Sequence, residues 1–351
     1  MTRLAALAIA CLAALAPSAQ ALEAVAEFGA TDPAAPRFVI HGSADIERFA
    51  PILDAFAARM PALRIVYEQR TTNDIYARAA AACAAGEASA HLLVSSSIDQ
   101  QVRLVNDGCA EPHRSRVTDA APAWARWRDE VFGLTREPAV MVYNRTLVPA
   151  AEVPRSRFDL IDLLRPAENR YTGRIATYDV ERSGLGYLFA FADSQQATTF
   201  GRLIEAFGRN RVAVAASSAA LIEGVARGDY LVAYNILGSY ALARAEEDPR
   251  LGVVAPADYT LLLTRAALIP RGAGQPAAAR AFIDFALGKA GQALLAEALL
   301  IVDAADPRLG TGASGTALRP IALSPVLLVG LDRQKRRIFL ETWRAGIYAP
   351  D

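Results

Sequence analysis

The chain has 351 residues, 53% of them hydrophobic, and its 37 basic side chains are balanced by 37 acidic ones. That balance, without a basic stripe, argues against a nucleic-acid partner, and the length exceeds what one hydrophobic core usually serves, so two lobes are expected. Beyond the first residues no long apolar segment occurs, so a soluble product is expected.

Arg3 precedes an unbroken apolar run from Leu4 to Ala16, followed by Pro17 and Ala19-Gln20-Ala21. A basic start, a short apolar stretch and an A-x-A site read as a secretory signal peptide over residues 1–21, cleaved after Ala21, with export to the periplasm. Cys83 and Cys109 survive cleavage. In an oxidising compartment they can pair or remain two thiols, and the spacing leaves both open. With no histidine spaced nearby they do not suggest a zinc site.

The first three elements repeat one plan. "RFVIHGSADIERFAPILDAFAARMP", "LRIVYEQRTTNDIYARAAAACAAG" and "HLLVSSSIDQQVRLVNDG" each read as a strand, a polar turn and a helix. Such repetition implies an α/β fold with a mostly parallel sheet flanked by helices, whose ligands sit beyond the carboxyl ends of the strands. The turns at 41–45, 70–74 and 95–99 lie at that edge. "VFGLTREPAVMVYNRTLVP" is β-rich, but Pro138 argues against a plain central strand, so the chain is expected to leave the first lobe here. Further alternation of strands and helices follows to about residue 248. "LGVVAPADYTLLLTRAALIP" is a second β-rich passage, read as the return crossing, and the remainder is largely helical. The glycine-rich stretch at 310–315 lacks the lysine and the strand-to-helix setting of a phosphate loop.

Catalytic signatures are weak. No G-x-S-x-G elbow frames the serines, and the three histidines, His41, His91 and His113, show no spacing that would assemble a triad. No enzyme activity is expected. Ser96 and Ser97, Thr72 and Asn73, and Ser183 and Gly184 each stand at a helix start, where a side-chain oxygen can cap free N–H groups. Several helix N-termini gathered at one edge would also bind an anion.

The segments "TTNDIYARA", "HLLVSSSIDQQVRLVNDGCAEP", "GRIATYDVERSGLGYLFAFADS", "LVAYNILGSYALARA" and "PRLGVVAPADYTLLLTRAALIPRGA" resemble the extracytoplasmic solute-binding proteins of ABC importers. The likeness is greatest to the branch of ferric-iron-binding and phosphoglycerate-transport regulatory proteins. The resemblance implies two α/β lobes joined by two β-strand crossings, placed near 135–145 and 250–262. Lobe 1 would take 22–138 and 256–351, and lobe 2 would take 139–255. It further implies a monomer, an inner-membrane permease and ATPase as partners, or a sensor kinase, and no cofactor.

Ferric-binding relatives use a histidine, a glutamate and two adjacent tyrosines. Here Ala44 falls where the histidine would be, Tyr240 stands alone beside Ser239, and no counterpart of the glutamate is evident. Tyr240 would be the metal ligand if iron were the cargo, but hard Fe(III) prefers several anionic oxygens. The expected ligand is a small oxyanion, a phosphate ester or carboxylate. The candidate ligand-binding residues are His41, Ser43, Thr72, Asn73, Ser96, Ser97, Arg136, Glu137, Arg182, Ser183, Gly184, Asn235, Tyr240 and Tyr259. Arg70 is a further candidate for a charge-assisted bond, and Tyr234 for a cleft wall.

Overall fold

The computed structural model describes residues 22–196, 198–303, 306–310 and 317–348. The expected signal peptide and most of the glycine-rich stretch lie outside the described residues.

The three strand-turn-helix units form as read. Strands Arg37–Gly42, Arg64–Arg70 and Leu92–Ser95 run parallel, and each leads through its polar turn into helix Ile46–Arg59, Thr72–Ala84 or Ile98–Asn106. Strand Leu22–Gly29 adds an antiparallel edge beside Arg64–Arg70. Strand Ala266–Pro270 inserts between Leu92–Ser95 and Val131–Gly133, completing the first sheet. One face of this sheet carries an aromatic core in which Phe38, Phe49 and Phe56 pack on Phe282 of helix Pro276–Leu287.

The second sheet is built around strand Glu137–Asn144, which pairs with Val232–Leu237, Leu251–Val254 and Thr260–Leu263. This strand is central, against the expectation raised by Pro138. The proline is its second residue, at the point where the chain enters the sheet, and the fully paired part lies beyond it.

Two short crossings join the sheets, at Leu134–Arg136 and at Thr264–Arg265. The return crossing therefore falls later than the boundary expected at 255/256. Leu251–Val254 and Thr260–Leu263 are wholly buried and both pair with the strand of the second sheet, so they stay in that lobe. The chain's end also divides differently. Helices Pro276–Leu287 and Lys289–Glu297 pack on the first lobe, but helix Arg333–Ile347 packs on helix Phe200–Arg209 of the second. Trp343 and Ile347 join Phe207 and Tyr234 in the second lobe's core. Gly208 and Gly346 allow the close approach, for a Cβ on Gly208 would stand 1.8 Å from the Gly346 carbonyl oxygen. Between them, Leu328–Leu331 lies on helix Ile98–Asn106 of the first lobe, so the last segment straps both lobes together.

Cys83 and Cys109 are joined as a disulfide, tying the end of helix Thr72–Ala84 to the chain just after helix Ile98–Asn106. The thiol alternative is thereby resolved.

Candidate functional site

A cleft of about 160 Å³ opens between the lobes at the carboxyl ends of the parallel strands. From the first lobe it is lined by Glu23, Ser43, Asp45, Arg70, Thr71, Thr72 and Ser96. The second lobe contributes Tyr178, Arg182, Ser183, Ser217, Ser218 and Tyr240, and Arg265 reaches in from the hinge.

Three helices aim their N-termini at this cleft. Thr71 caps Thr72–Ala84 by accepting from the Asp74 N–H at 3.3 Å. Ser183 accepts from the Gly186 N–H at 3.1 Å in the first turn of Gly184–Gln196. Ser217 accepts from the Ala220 N–H at 3.2 Å at the start of Ser218–Arg227. Each cap satisfies one N–H and leaves others of the first turn, with the positive end of the helix dipole, directed at the same space. Ser43 and Ser96 form a hydroxyl pair on the facing wall, where the Ser96 N–H donates to Ser43 Oγ at 3.0 Å.

The lobes touch at the rim. The Asp45 N–H donates to Tyr240 Oη at 3.0 Å, and Asn73 Nδ2 donates to the Arg182 carbonyl at 3.0 Å. Gly184 fits against Ser97, Thr72 and Asn73, whose side-chain oxygens would lie 2.5, 2.7 and 2.8 Å from a Cβ there. Ser97 holds the N-cap position of its helix without making a side-chain capping bond.

The cleft's charges are unequally matched. Arg70 is held by Glu68 at 2.7 Å and Asp74 at 2.7 Å. Arg265 is fully buried and donates from Nε to Glu137 at 3.0 Å and from Nη1 to the Ser43 carbonyl at 2.9 Å. Among the described residues Arg182 has no carboxylate partner, and Glu23 and Asp45 have no cationic partner. Burial, partly offset by Arg265, raises the Tyr240 phenol to about 12, so it stays protonated near neutral pH.

Of the residues expected from sequence, Ser43, Thr72, Ser96, Arg182, Ser183 and Tyr240 line the cleft, and Asn73, Ser97 and Gly184 form its contact rim. Five lie elsewhere. His41 is buried beside Glu68, with Nε2 3.1 Å from the carboxylate, and burial and then Arg70 hold its imidazole down at about 4. Arg136 lines a separate hollow with Trp124 and Gln292 on the first lobe. Glu137 points into the hinge, accepting from Arg265, from Thr135 Oγ1 at 2.8 Å and from Ser239 Oγ. Asn235 and Tyr259 instead serve a buried network, donating to Asp193 at 2.6 and 2.9 Å. Tyr234 and Arg157 complete that network.

Sequence reasoning missed Arg265, Asp45, Glu23, Tyr178, Ser217 and Ser218 as cleft residues. An arginine inside the apolar "LLLTRAALIP" and the paired serines of "AASSAA" before a helix were the available signals.

Behind the rim, the first turn of helix Ile98–Asn106 is buried although polar, and Asp99 Oδ1 finds no hydrogen-bond partner among the described residues. Burial raises the Asp99 carboxyl to about 7. The folded state therefore holds this proton more tightly than the unfolded chain. The native carboxyl carries no penalty below the ordinary range near 4, and stability is lost as pH climbs from there through about 7. Asp99→Asn is expected to leave the urea midpoint unchanged at pH 4 and to raise stability at pH 8 by on the order of 2 kcal/mol. Equal effects at both pH values would refute this assignment.

Comparison with known proteins decides the family. The model of the bacterial extracellular solute-binding proteins matches residues 52–302. The chain belongs to that family. The substrate-binding protein of an ABC transporter from Agrobacterium tumefaciens is 35% identical, with a TM-score of 0.86 over 93% of this chain and 99% of that one. Two more distant structures share the fold. Iron-bound HitA from Pseudomonas aeruginosa is 15% identical, with a TM-score of 0.67 over 89% of this chain and 99% of its own. AfuA from Actinobacillus pleuropneumoniae, solved with exogenous fructose-6-phosphate bound, is 17% identical, with a TM-score of 0.67 over 90% of this chain and 99% of its own. A search of curated protein sequences finds no match. A solute-binding component that works with an ABC permease and its ATPase is thus the role this family membership supports, and the family's members bind solutes outside the cytoplasm.

Proposed function

We propose that this solute-binding protein captures a small oxyanion, a phosphate ester or a carboxylate, in the periplasm and delivers it to an ABC importer. The observation that carries this reading is the convergence of three helix N-termini from both lobes on one cleft, beside the unpaired guanidinium of Arg182. Backbone N–H groups and the hydroxyls of Thr72, Ser96, Ser183 and Ser218 would surround the oxygens, and closing the lobes would complete the shell. Iron capture is the weaker reading. Tyr240 Oη already accepts from the Asp45 N–H, and Glu137 is consumed by the hinge. A sensory role toward a membrane kinase would use the same closure, and no separate observation favours it.

Thermal unfolding against inorganic phosphate, glycerol 1-phosphate, citrate and ferric citrate tests the reading. An oxyanion at a hundred times its dissociation constant should stabilise the protein by about 2.7 kcal/mol, a rise of several degrees in Tm. Ser183→Asp should abolish the rise. A tyrosinate–iron absorption band with no response to iron-free anions would overturn it.

A further inference from the structure

The acidic wall of the cleft is unexplained by an oxyanion alone. Glu23 and Asp45 both accept from one nitrogen, Gln69 Nε2, at 3.0 and 3.3 Å, so the two carboxylates stand side by side. Gln69 is itself fixed, because its Oε1 accepts from the Ile46 N–H at 3.0 Å. Asp45 occupies the N-cap of helix Ile46–Arg59 but makes no side-chain capping bond. Its carboxylate is turned instead toward Gln69 and the cleft.

No lysine or arginine among the described residues pairs with either acid, whereas Arg70 and Arg265 in the same cleft are each matched by a carboxylate. The unmatched charges of the cleft are thus one cation, Arg182, and two anions. A pure oxyanion would leave the two acids uncompensated and add to the negative charge on closing. Like charges brought together in a closing, partly desolvated space repel strongly.

We propose that the ligand is zwitterionic, its oxyanion held at the helix N-termini and its ammonium group seated between Glu23 and Asp45. This rests on the oxyanion reading and adds the chemistry of the other end. An ammonium offers three donors and no acceptor, which suits two acceptor-only carboxylates. A hydroxylated end could donate to the same oxygens but would supply no charge. The two carboxylates then act in specificity, rewarding a cation at a fixed distance from the oxyanion and penalising ligands that lack one.

Isothermal titration with O-phosphoethanolamine, ethyl phosphate and glycerol 1-phosphate separates the cases. O-phosphoethanolamine is expected to bind at least about tenfold more tightly than ethyl phosphate, as one charge-assisted contact would provide. Asp45→Asn should reduce that margin to about threefold or less. Glu23 is exposed, so Glu23→Gln, which threatens folding least, should narrow it in the same direction. Equal binding of the three phosphates, or tighter binding of glycerol 1-phosphate, would overturn the zwitterion inference and leave the oxyanion site standing. No heat with any of them, nor with inorganic phosphate, would remove the oxyanion reading and this inference with it.

Discussion

Gly184→Val is expected to hold the lobes apart. The substitution places a branched side chain where three oxygens, of Ser97, Thr72 and Asn73, already lie within 2.8 Å of a Cβ position. All three belong to the first lobe and Gly184 to the second, so the clash exists only while the lobes make the rim contact seen in this structure, and parting them relieves it. Gly184 opens its helix with an ordinary backbone, outside the left-handed region, so the open lobe can accept a side chain. A ligand can shift the protein only by its preference for the closed state, and a variant that cannot reach that state loses the preference. Affinity for whichever oxyanion binds the parent protein should fall by about 100-fold, roughly 2.7 kcal/mol. Gly184 is buried in the rim contact, so the ligand-free Tm should fall only by what losing that contact costs, about 1 kcal/mol or a few degrees. Small-angle scattering at saturating ligand should keep the ligand-free radius of gyration. Normal affinity in this variant would show that the rim contact does not limit closure.

Arg265→Met should be the most destabilising single change at the hinge. Arg265 ends the return crossing and Glu137 directly follows the first, both are fully buried, and their contacts reach Ser43 of the first lobe and Ser239 of the second. Thr135 joins the pair by accepting from the Arg265 N–H at 2.7 Å while donating to Glu137. Removing the guanidinium strands a carboxylate in the interior, which costs about 3–5 kcal/mol. The loss should shrink as pH falls, because a stranded carboxylate escapes its penalty by taking up a proton. Arg265→Met combined with Glu137→Leu should recover most of the stability, since replacing both charges by apolar groups is often neutral. Urea denaturation of the three variants at pH 5 and pH 8 measures this. A double variant no better than the single would mean that the pair, and not the stranded charge, carries the energy.

The strand-turn-helix units were legible because hydrophobic period, polar turns and helix stops agree in each. The serines and Thr72 followed from that frame, since a residue between a parallel strand and its helix must stand at the ligand edge. Residues on the hinge strands resisted the same reasoning. Alternation along a strand sends neighbours to opposite faces, so Arg136 and Glu137 could not both serve one site. Asn235 adopts a positive φ of 61°, and the pairing register shifts between Ala233 and Ile236. That irregularity breaks the two-residue period and turns Asn235 toward Asp193, away from the cleft. Arg265 was hidden for a different reason. Its charge is meaningful only with Glu137, which lies 128 positions earlier in the chain. Glu23 and Asp45 likewise meet only through Gln69 on a third element.

The placement of Ala266–Pro270 has a consequence for the order in which the molecule can form. That strand joins Leu92–Ser95 to Val131–Gly133, so the first sheet lacks an inner member until the chain has been made through strand Thr260–Leu263 of the second sheet. The second lobe waits longer, because Trp343 and Ile347 complete its core. Pairings so distant along the chain close slowly, since loop entropy must be overcome before they contribute. The second lobe therefore cannot complete its core before helix Arg333–Ile347 has been made, whereas the first lobe has its sheet and its packed helices by Glu297.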